Sequence, residues 1–294
     1  MNDYWRAVVG LPGLPESARR SLRLECLTEL TTPLALALLE GGIAGVLAAK
    51  LFDASPWTVT LITAAPMYGN LLSGLWGRLA EGRGKVRATV LLQLATLAMV
   101  VLMALSPSLL GGVGWFLGSY VMARFLLAGI GTVRSVVWSL NYPRALRARI
   151  TGRLQLLFSI ATLLVTLLAG RLLDRSPDWF PTIALSCVAL ALAGVVAFSR
   201  VHVPGDEAHR ARERAARQTP GNRVGAWHVL REDRDYRRYQ TAQFVAGSAN
   251  MMIEAPFVYL VSAELGAGYL LSFTLSMVLR SEERRVGKEC PSPC

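Results

Sequence analysis

Charged residues are scarce in this chain: they make up 17% of its 294 residues, whereas apolar residues make up 53%. A soluble domain usually carries about 25% charged residues, and the mean hydropathy here is +0.39. The apolar residues also stand in long uninterrupted blocks and lack the amphipathic spacing of a surface helix. This balance favours lipid as the surrounding medium and makes a soluble globular enzyme the weaker class.

Cysteine and histidine are also rare. The four cysteines are too few and too scattered for a disulfide framework, and no metal-ligand spacing occurs. The three histidines, His202, His209 and His228, all lie in one polar connection, where solvated side chains are the expected state. The sequence therefore predicts no cofactor and no metal.

Seven apolar blocks follow a polar lead-in, and each is near the roughly 20 residues that cross about 30 Å of hydrocarbon. They lie at 31–52, 57–77, 88–106, 112–134, 154–172, 179–199 and 240–263, and an eighth begins near Leu265. The blocks lack the two-residue alternation of a barrel strand, and a helix satisfies its own backbone hydrogen bonds in lipid. The sequence predicts an all-α polytopic membrane protein.

The net charge of +11 comes from lysines and arginines that collect between the apolar blocks. No aromatic-rich basic face or nucleic-acid fold signature accompanies them, so the bilayer and not nucleic acid is the predicted partner. One side of the predicted bundle holds nearly all of these residues, among them Arg19, Arg20, Arg23, Arg78, Arg83, Lys85, Arg87, Arg144, Arg147, Arg149 and Arg153. By the positive-inside rule this side is cytoplasmic, the N-terminus included, and a bacterial inner (plasma) membrane is expected.

One long polar connection divides the chain. Six apolar blocks precede residues 200–239, and further blocks follow, which is a two-bundle layout. The predicted organisation is an amphipathic lead-in at 1–30, a six-helix bundle at 31–199, a flexible basic linker at 200–239 that ends in a short interfacial helix, and the first two helices of a second bundle at 240–279.

The C-terminal segment is unlike the rest. The apolar run of the eighth block stops at Leu279, and seven of the eleven residues from 280 to 290 are charged. Each charge at the bilayer centre costs about 2.5–3.5 kcal/mol, so this string cannot complete a span. It resembles an in-frame translation of a sequencing-library adapter. Residues 280–294 are therefore expected to be non-native and the natural protein longer; the alternative is a genuine basic tail.

The connection after the second block, called here the motif segment (residues 77–87), reads Gly-Arg-Leu-Ala-Glu-Gly-Arg-Gly-Lys-Val-Arg. It resembles the signature of the major facilitator superfamily: glycine, two variable residues, alanine, an acid, two variable residues, glycine and a basic cluster. Glu81 stands where aspartate is usual, and Gly82 replaces a usual arginine. The alternative is an ordinary basic loop.

This resemblance implies a cytoplasmic gate that closes against the second bundle. The residues of this sequence that match the family signature, and are therefore expected to form the gate, are Gly77, Glu81, Gly84, Lys85 and Arg87. The two glycines would permit close backbone approach and a sharp turn. Glu81 would pair with the basic residues or with the positive end of a neighbouring helix.

The fourth block carries an arginine, Arg124, followed by Gly129 and Gly131. This resembles the fourth-helix pattern of the same family, with one extra residue between Arg124 and Gly129. A buried arginine stays charged and should face a cavity or an acid, not lipid. A role in the transport pathway and a structural charge pair both remain open.

Two carboxyl groups lie near the centres of apolar blocks. Glu40 is in the first, and Glu254 is in the seventh, between Asn250 and Pro256. Desolvation at such depth favours a protonated acid, so protonation can be linked to access. The alternative is a neutral acid that only joins two helices by a hydrogen bond.

The resulting hypothesis is a secondary active transporter in which a small solute binds between two bundles that rock alternately. Its predicted pathway residues are Glu40, Arg124, Asn250 and Glu254, with the proton as candidate coupling ion through Glu40 or Glu254. A non-transporting membrane sensor or assembly protein is the alternative. A membrane-embedded enzyme ranks third, because the chain shows no clustered His/Asp set and no phosphate-binding glycine loop.

Overall fold

The computed structural model describes residues 14–71, 73–218 and 230–286, and every regular element within them is helical, as the sequence predicts. The α-helices are α1 Glu16–Leu36, α2 Gly41–Phe52, α3 Pro56–Leu71, α4 Ser73–Ala80, α5 Lys85–Leu105, α6 Gly112–Asn141, α7 Arg144–Arg175, α8 Trp179–Ser199, α9 Asp206–Gln218, α10 Arg234–Tyr259 and α11 Tyr269–Val286. Short 3₁₀ turns lie at Ala37–Leu39 and Ser106–Ser108, and a π-helical turn lies at Leu260–Glu264.

Several of these helices are long and apolar enough to cross a membrane. Within the described residues there are five, formed by α5, α6, α7, α8 and α10 with their adjoining turns, and a sixth if the bent pair α1 and α2 is one span. The second predicted span corresponds to the shorter helices α3 and α4. The apolar part of α11, Tyr269–Leu279, is also shorter. The all-α polytopic class is confirmed.

The helices at both ends of the described chain extend beyond the apolar blocks. Helix α1 begins at Glu16 and continues through residue 31, so the lead-in and the first span are one helix. Helix α11 continues to Val286 and does not stop at Leu279. Glutamate and arginine are good helix formers, so charge ends the apolar run without ending the helix.

Helices α1 to α8 pack against one another. Helix α1 lies against α8 and α7, α5 against α6 and α8, and α3 and α4 against α6. A small residue allows the approach of α4 to α6, since a Cβ built on Gly129 would lie 2.7 Å from Trp76 Cδ2. The fourth-helix glycine singled out from the sequence is thus a packing residue for the second span.

Helices α10 and α11 lie on one side of this bundle. Helix α10 packs on α2 and α3, and α11 packs on α7 and α2. Helix α2, the second half of the first span, therefore touches both helices that follow the linker. Its position makes it the centre of the junction between the two parts of the chain.

Candidate functional site

The first span is broken at its centre. Helix α1 gives way to the 3₁₀ turn, Glu40 is extended with φ −67° and ψ 130°, and α2 restarts at Gly41, so that the two helical axes differ by 47°. Pro33 lies in the last turns of α1, where its missing N–H weakens the helix before the break. The sequence predicts Glu40 inside a continuous helix, but the structure places it at the break. Its main-chain carbonyl accepts the first hydrogen bond of α2, from the Ala44 N–H.

The fourth span supplies hydrogen bonds to the break. Arg124 Nη1 donates to the main-chain carbonyl of Leu39 at 3.1 Å, and the Tyr120 hydroxyl donates to the same oxygen at 3.2 Å. A backbone carbonyl released by a broken helix needs such donors in lipid. Tyr120 is fully buried. Arg124 thus brings a permanent positive charge to the helix break, next to Glu40.

The seventh span reaches the same place from the other side. A Cβ built on Gly42 would lie 3.4 Å from Glu254 Oε1 and 2.7 Å from Ser276 Cβ. Glu254 is buried in α10, two residues before Pro256. The backbone of Asn250 lies one turn earlier in α10, but its side chain is outside the described residues.

Three of the four predicted pathway residues therefore meet around Leu39–Gly42. Glu40 belongs to this segment, Arg124 donates to its first carbonyl, and Glu254 lies against its last glycine. The chemistry available there is one guanidinium, two carboxyl groups and a phenol at the junction of two helix groups. Such an arrangement suits binding of a polar group or transfer of a proton.

The motif segment lies at the end of the bundle that also carries α9, called here the basic end. It forms the end of α4, a turn at residues 81–84 and the start of α5. The tight turn is at Gly82, which has φ +70°. Gly77 and Gly84 do not make the close approaches expected of them, since a Cβ on either would have no neighbour nearer than 3.9 Å.

Lys85 of this segment is buried and has two partners. Its Nζ donates to the Ala80 carbonyl at 2.8 Å and to Glu213 Oε2 of α9 at 2.7 Å. The expected partner, Glu81, forms no ion pair with any residue that the structure describes. The acid that engages the segment therefore comes from the linker, which over residues 206–218 is a docked helix and not a flexible chain.

The ionisation of Glu213 reflects this setting. Partial burial raises the pKa of its carboxyl. Hydrogen bonds from Lys85 and from the Gly82 amide lower this pKa, as do the charges of Lys85 and His209, and together they outweigh the effect of burial. The net effect is a pKa below the ordinary value of 4.5. Glu213 is therefore held in the charged form that the contact needs.

A buried charge cluster near the basic end was missed by the sequence reasoning. Glu25 and Glu29 of α1 both contact Arg134 of α6, and Arg134 Nη2 lies 3.3 Å from Glu25 Oε2. Trp138 and Tyr142 also donate to Glu25. The sequence did contain a signal for this cluster. Glu25 and Glu29 are spaced to lie on one face of a helix, and Arg134 is a second arginine within the fourth apolar block.

The opposite end of the bundle is closed between α7 and α11. The Asp174 carboxylate accepts from the backbone N–H groups of Tyr269 and Leu270, the first two residues of α11. Lys50 Nζ lies 4.8 Å from the centre of the Tyr269 ring. We call these contacts the outer lock, because they lie at the end of the bundle opposite the basic end. They join α2 and α7, which precede the linker, to α11, which follows it.

No group of three or more His, Cys, Asp or Glu residues that could hold a metal ion occurs within residues 14–71, 73–218 and 230–286. Apolar spans, a broken first span and charged groups at the junction are features that α-helical membrane transport proteins share. The family model for the Major Facilitator Superfamily matches residues 31–280, and the chain belongs to this family of membrane transporters. No curated protein matches the chain.

Proposed function

We propose that this protein moves a small solute across the membrane by alternating access, with the helix break of the first span at the centre of the pathway. The observation that carries the proposal is the meeting of Glu40, Arg124 and Glu254 around Leu39–Gly42. These charges come from the first, fourth and seventh spans, and a site at such a junction is exposed to one side or the other as the two helix groups rock.

The proton is the proposed coupling ion. Glu40 and Glu254 are carboxyl groups at the depth where the charged form is costly, and the guanidinium of Arg124 stays charged throughout. Loss of a proton from either acid would create a partner for Arg124. Arrival of a proton would release Arg124 toward the solute, so proton movement and solute movement would be linked.

The remaining organisation follows from the charges. The basic end is proposed to be cytoplasmic, in a bacterial inner membrane, because it carries the motif segment and the linker. The chain is proposed to divide at the linker, with α1–α8 in one bundle and α10 and α11 in another. Gly77, Glu81, Gly84, Lys85 and Arg87 are proposed to form the gate at the cytoplasmic side, together with Gly82.

The test is transport by the purified full-length protein in liposomes that contain a pH-sensitive dye. A panel of one neutral sugar, one amino acid, one organic acid and one organic cation is added under an imposed pH gradient. We expect at least one solute to move with protons, and Glu40→Gln to uncouple the two fluxes while Glu207→Gln, an exposed acid of α9, leaves them unchanged. Unaltered coupling in Glu40→Gln would remove its assigned role, and a panel without any flux would contradict the proposed function.

A further inference from the structure

The contact between α9 and the motif segment uses both backbone polar groups of one residue, Gly82. Glu213 Oε2 accepts from the Gly82 N–H at 2.7 Å, and Arg214 Nε donates to the Gly82 carbonyl at 3.1 Å. Gly82 has a positive φ, and in this conformation its N–H and its carbonyl both face α9. A Cβ at this position would lie 3.0 Å from Arg214 Cγ, so the absence of a side chain lets the helix approach.

The same carboxylate neutralises the buried cation of the segment. Lys85 is 2% exposed, and the oxygen that binds its Nζ also binds Gly82. A charge-assisted bond of this kind is about twice as strong as a neutral one. While Glu213 is in place, the ammonium of Lys85 is held by the linker at 2.7 Å.

The outer lock is closed in the same conformation. Asp174 binds the start of α11, and a Cβ on Gly170 would lie 2.8 Å from Leu270 Cα, so α7 and α11 are in backbone contact. At the basic end, by contrast, the side chains described between Arg234 and Tyr239 are exposed. One end is thus held shut by the lock while α9 engages the motif segment at the other.

We infer that Glu213 is a positioning residue of the transport cycle, which binds Gly82 and Lys85 in the conformation with the outer lock closed and releases them in the opposite one. The inference rests on the proposed function, since it assumes two conformations. A contact made in only one of two conformations shifts their equilibrium by its own free energy. Loss of the contact should therefore open the outer lock more often, although Glu213 and the lock are at opposite ends.

The experiment measures both ends separately in nanodiscs, without any solute. The chain carries Ser272→Cys as a reporter, with the native cysteines replaced by alanine. Ser272 is buried in α11, one turn beyond Tyr269, and the substitution conserves its size. Reaction of this thiol with a charged maleimide reports opening of the lock, and hydrogen exchange of residues 206–218 and of the Gly82 amide reports docking of α9.

We expect Glu213→Gln to raise exchange in α9 and at Gly82, and to speed labelling of the thiol at position 272 by about three- to tenfold. Glu207→Gln is the matched control, because it removes one exposed acid from the same helix. Glu213→Asp, which keeps the charge, should restore part of the wild-type labelling rate.

Two outcomes would overturn the inference. Faster exchange in α9 with an unchanged labelling rate would make Glu213 a purely structural anchor of the linker. Equal exchange and equal labelling rates in Glu213→Gln and Glu207→Gln would show that the contact of Glu213 with Gly82 and Lys85 does not hold α9 in place. Neither readout depends on transport, so a failure of the proposed function would be recognised separately, by the absence of flux in the liposome assay.

Discussion

Arg124 in the fourth span donates from Nη1 to the carbonyl of Leu39, 3.1 Å away, at the point where the first span stops being helical. This bond joins two elements that are 85 positions apart in the chain. It satisfies a backbone oxygen that lipid could not satisfy, and it fixes a positive charge beside Glu40. Structure and proposed chemistry therefore depend on the same side chain.

Replacement of Arg124 by Met should reduce transport at least tenfold and lower the free energy of unfolding by about 1–3 kcal/mol, because the Leu39 carbonyl keeps only Tyr120 as donor. The measurements are flux in liposomes and thermal unfolding in detergent. Tyr120→Phe removes the other donor and leaves the charge. It should match the loss of stability while transport falls less; equal losses of transport would show that the charge is not needed.

Replacement of Gly42 by Ala should separate α2 from α11, because the new Cβ would lie 2.7 Å from Ser276 Cβ. Overpacking of this kind costs about 1–3 kcal/mol. The loss should appear as a lower unfolding temperature in detergent. Gly118→Ala is the control, since nothing beyond the adjacent backbone of its own helix lies within 4 Å of its built Cβ. A stable Gly42→Ala protein would mean that the first and eighth spans can shift apart without cost.

Replacement of Arg134 by Met should be strongly destabilising. It leaves Glu25 and Glu29 buried without their shared cation, and breaking a buried ion pair from one side costs about 3–5 kcal/mol. Arg149→Met, at an exposed position of α7, should change stability little. The triple variant Glu25→Gln, Glu29→Gln, Arg134→Met should recover much of the loss; a triple variant as unstable as the single one would contradict a charge-based cause.

Docking of α9 should weaken in acid. The folded-state pKa of Glu213 is below its ordinary value of 4.5, so the contact contributes fully above that value and is lost as the pH falls through the lowered pKa. A nitroxide attached at Ala211, which is exposed on α9, should therefore become more mobile as the pH falls from neutral to below 4.5.

The same label on Glu213→Gln should be mobile at every pH, because the carboxyl group that binds Gly82 and Lys85 is gone. Glu207→Gln should keep the wild-type pH profile. A pH step that persists in Glu213→Gln would assign the titration to a group other than Glu213.

Much of the fold could be predicted from the sequence, because a segment in lipid has to satisfy its own backbone hydrogen bonds. A run of about 20 apolar residues must satisfy its own backbone hydrogen bonds, and basic flanks mark one side. The all-α class and the family followed from these runs and from residues 77–87. The boundaries were less accurate at residue 31 and at Leu279, because a helix continues through charged residues once it leaves hydrocarbon.

What the sequence determined by itself is thus the medium, the helical class and the family. Only the tertiary structure decided which polar groups meet: Arg124 with the Leu39 carbonyl, Lys85 with Glu213 instead of Glu81, and Arg134 with Glu25 and Glu29. The physical reason is range. Hydropathy is a property of neighbours along the chain, whereas these contacts join residues from 85 to 128 positions apart and depend on how the helices are turned against each other.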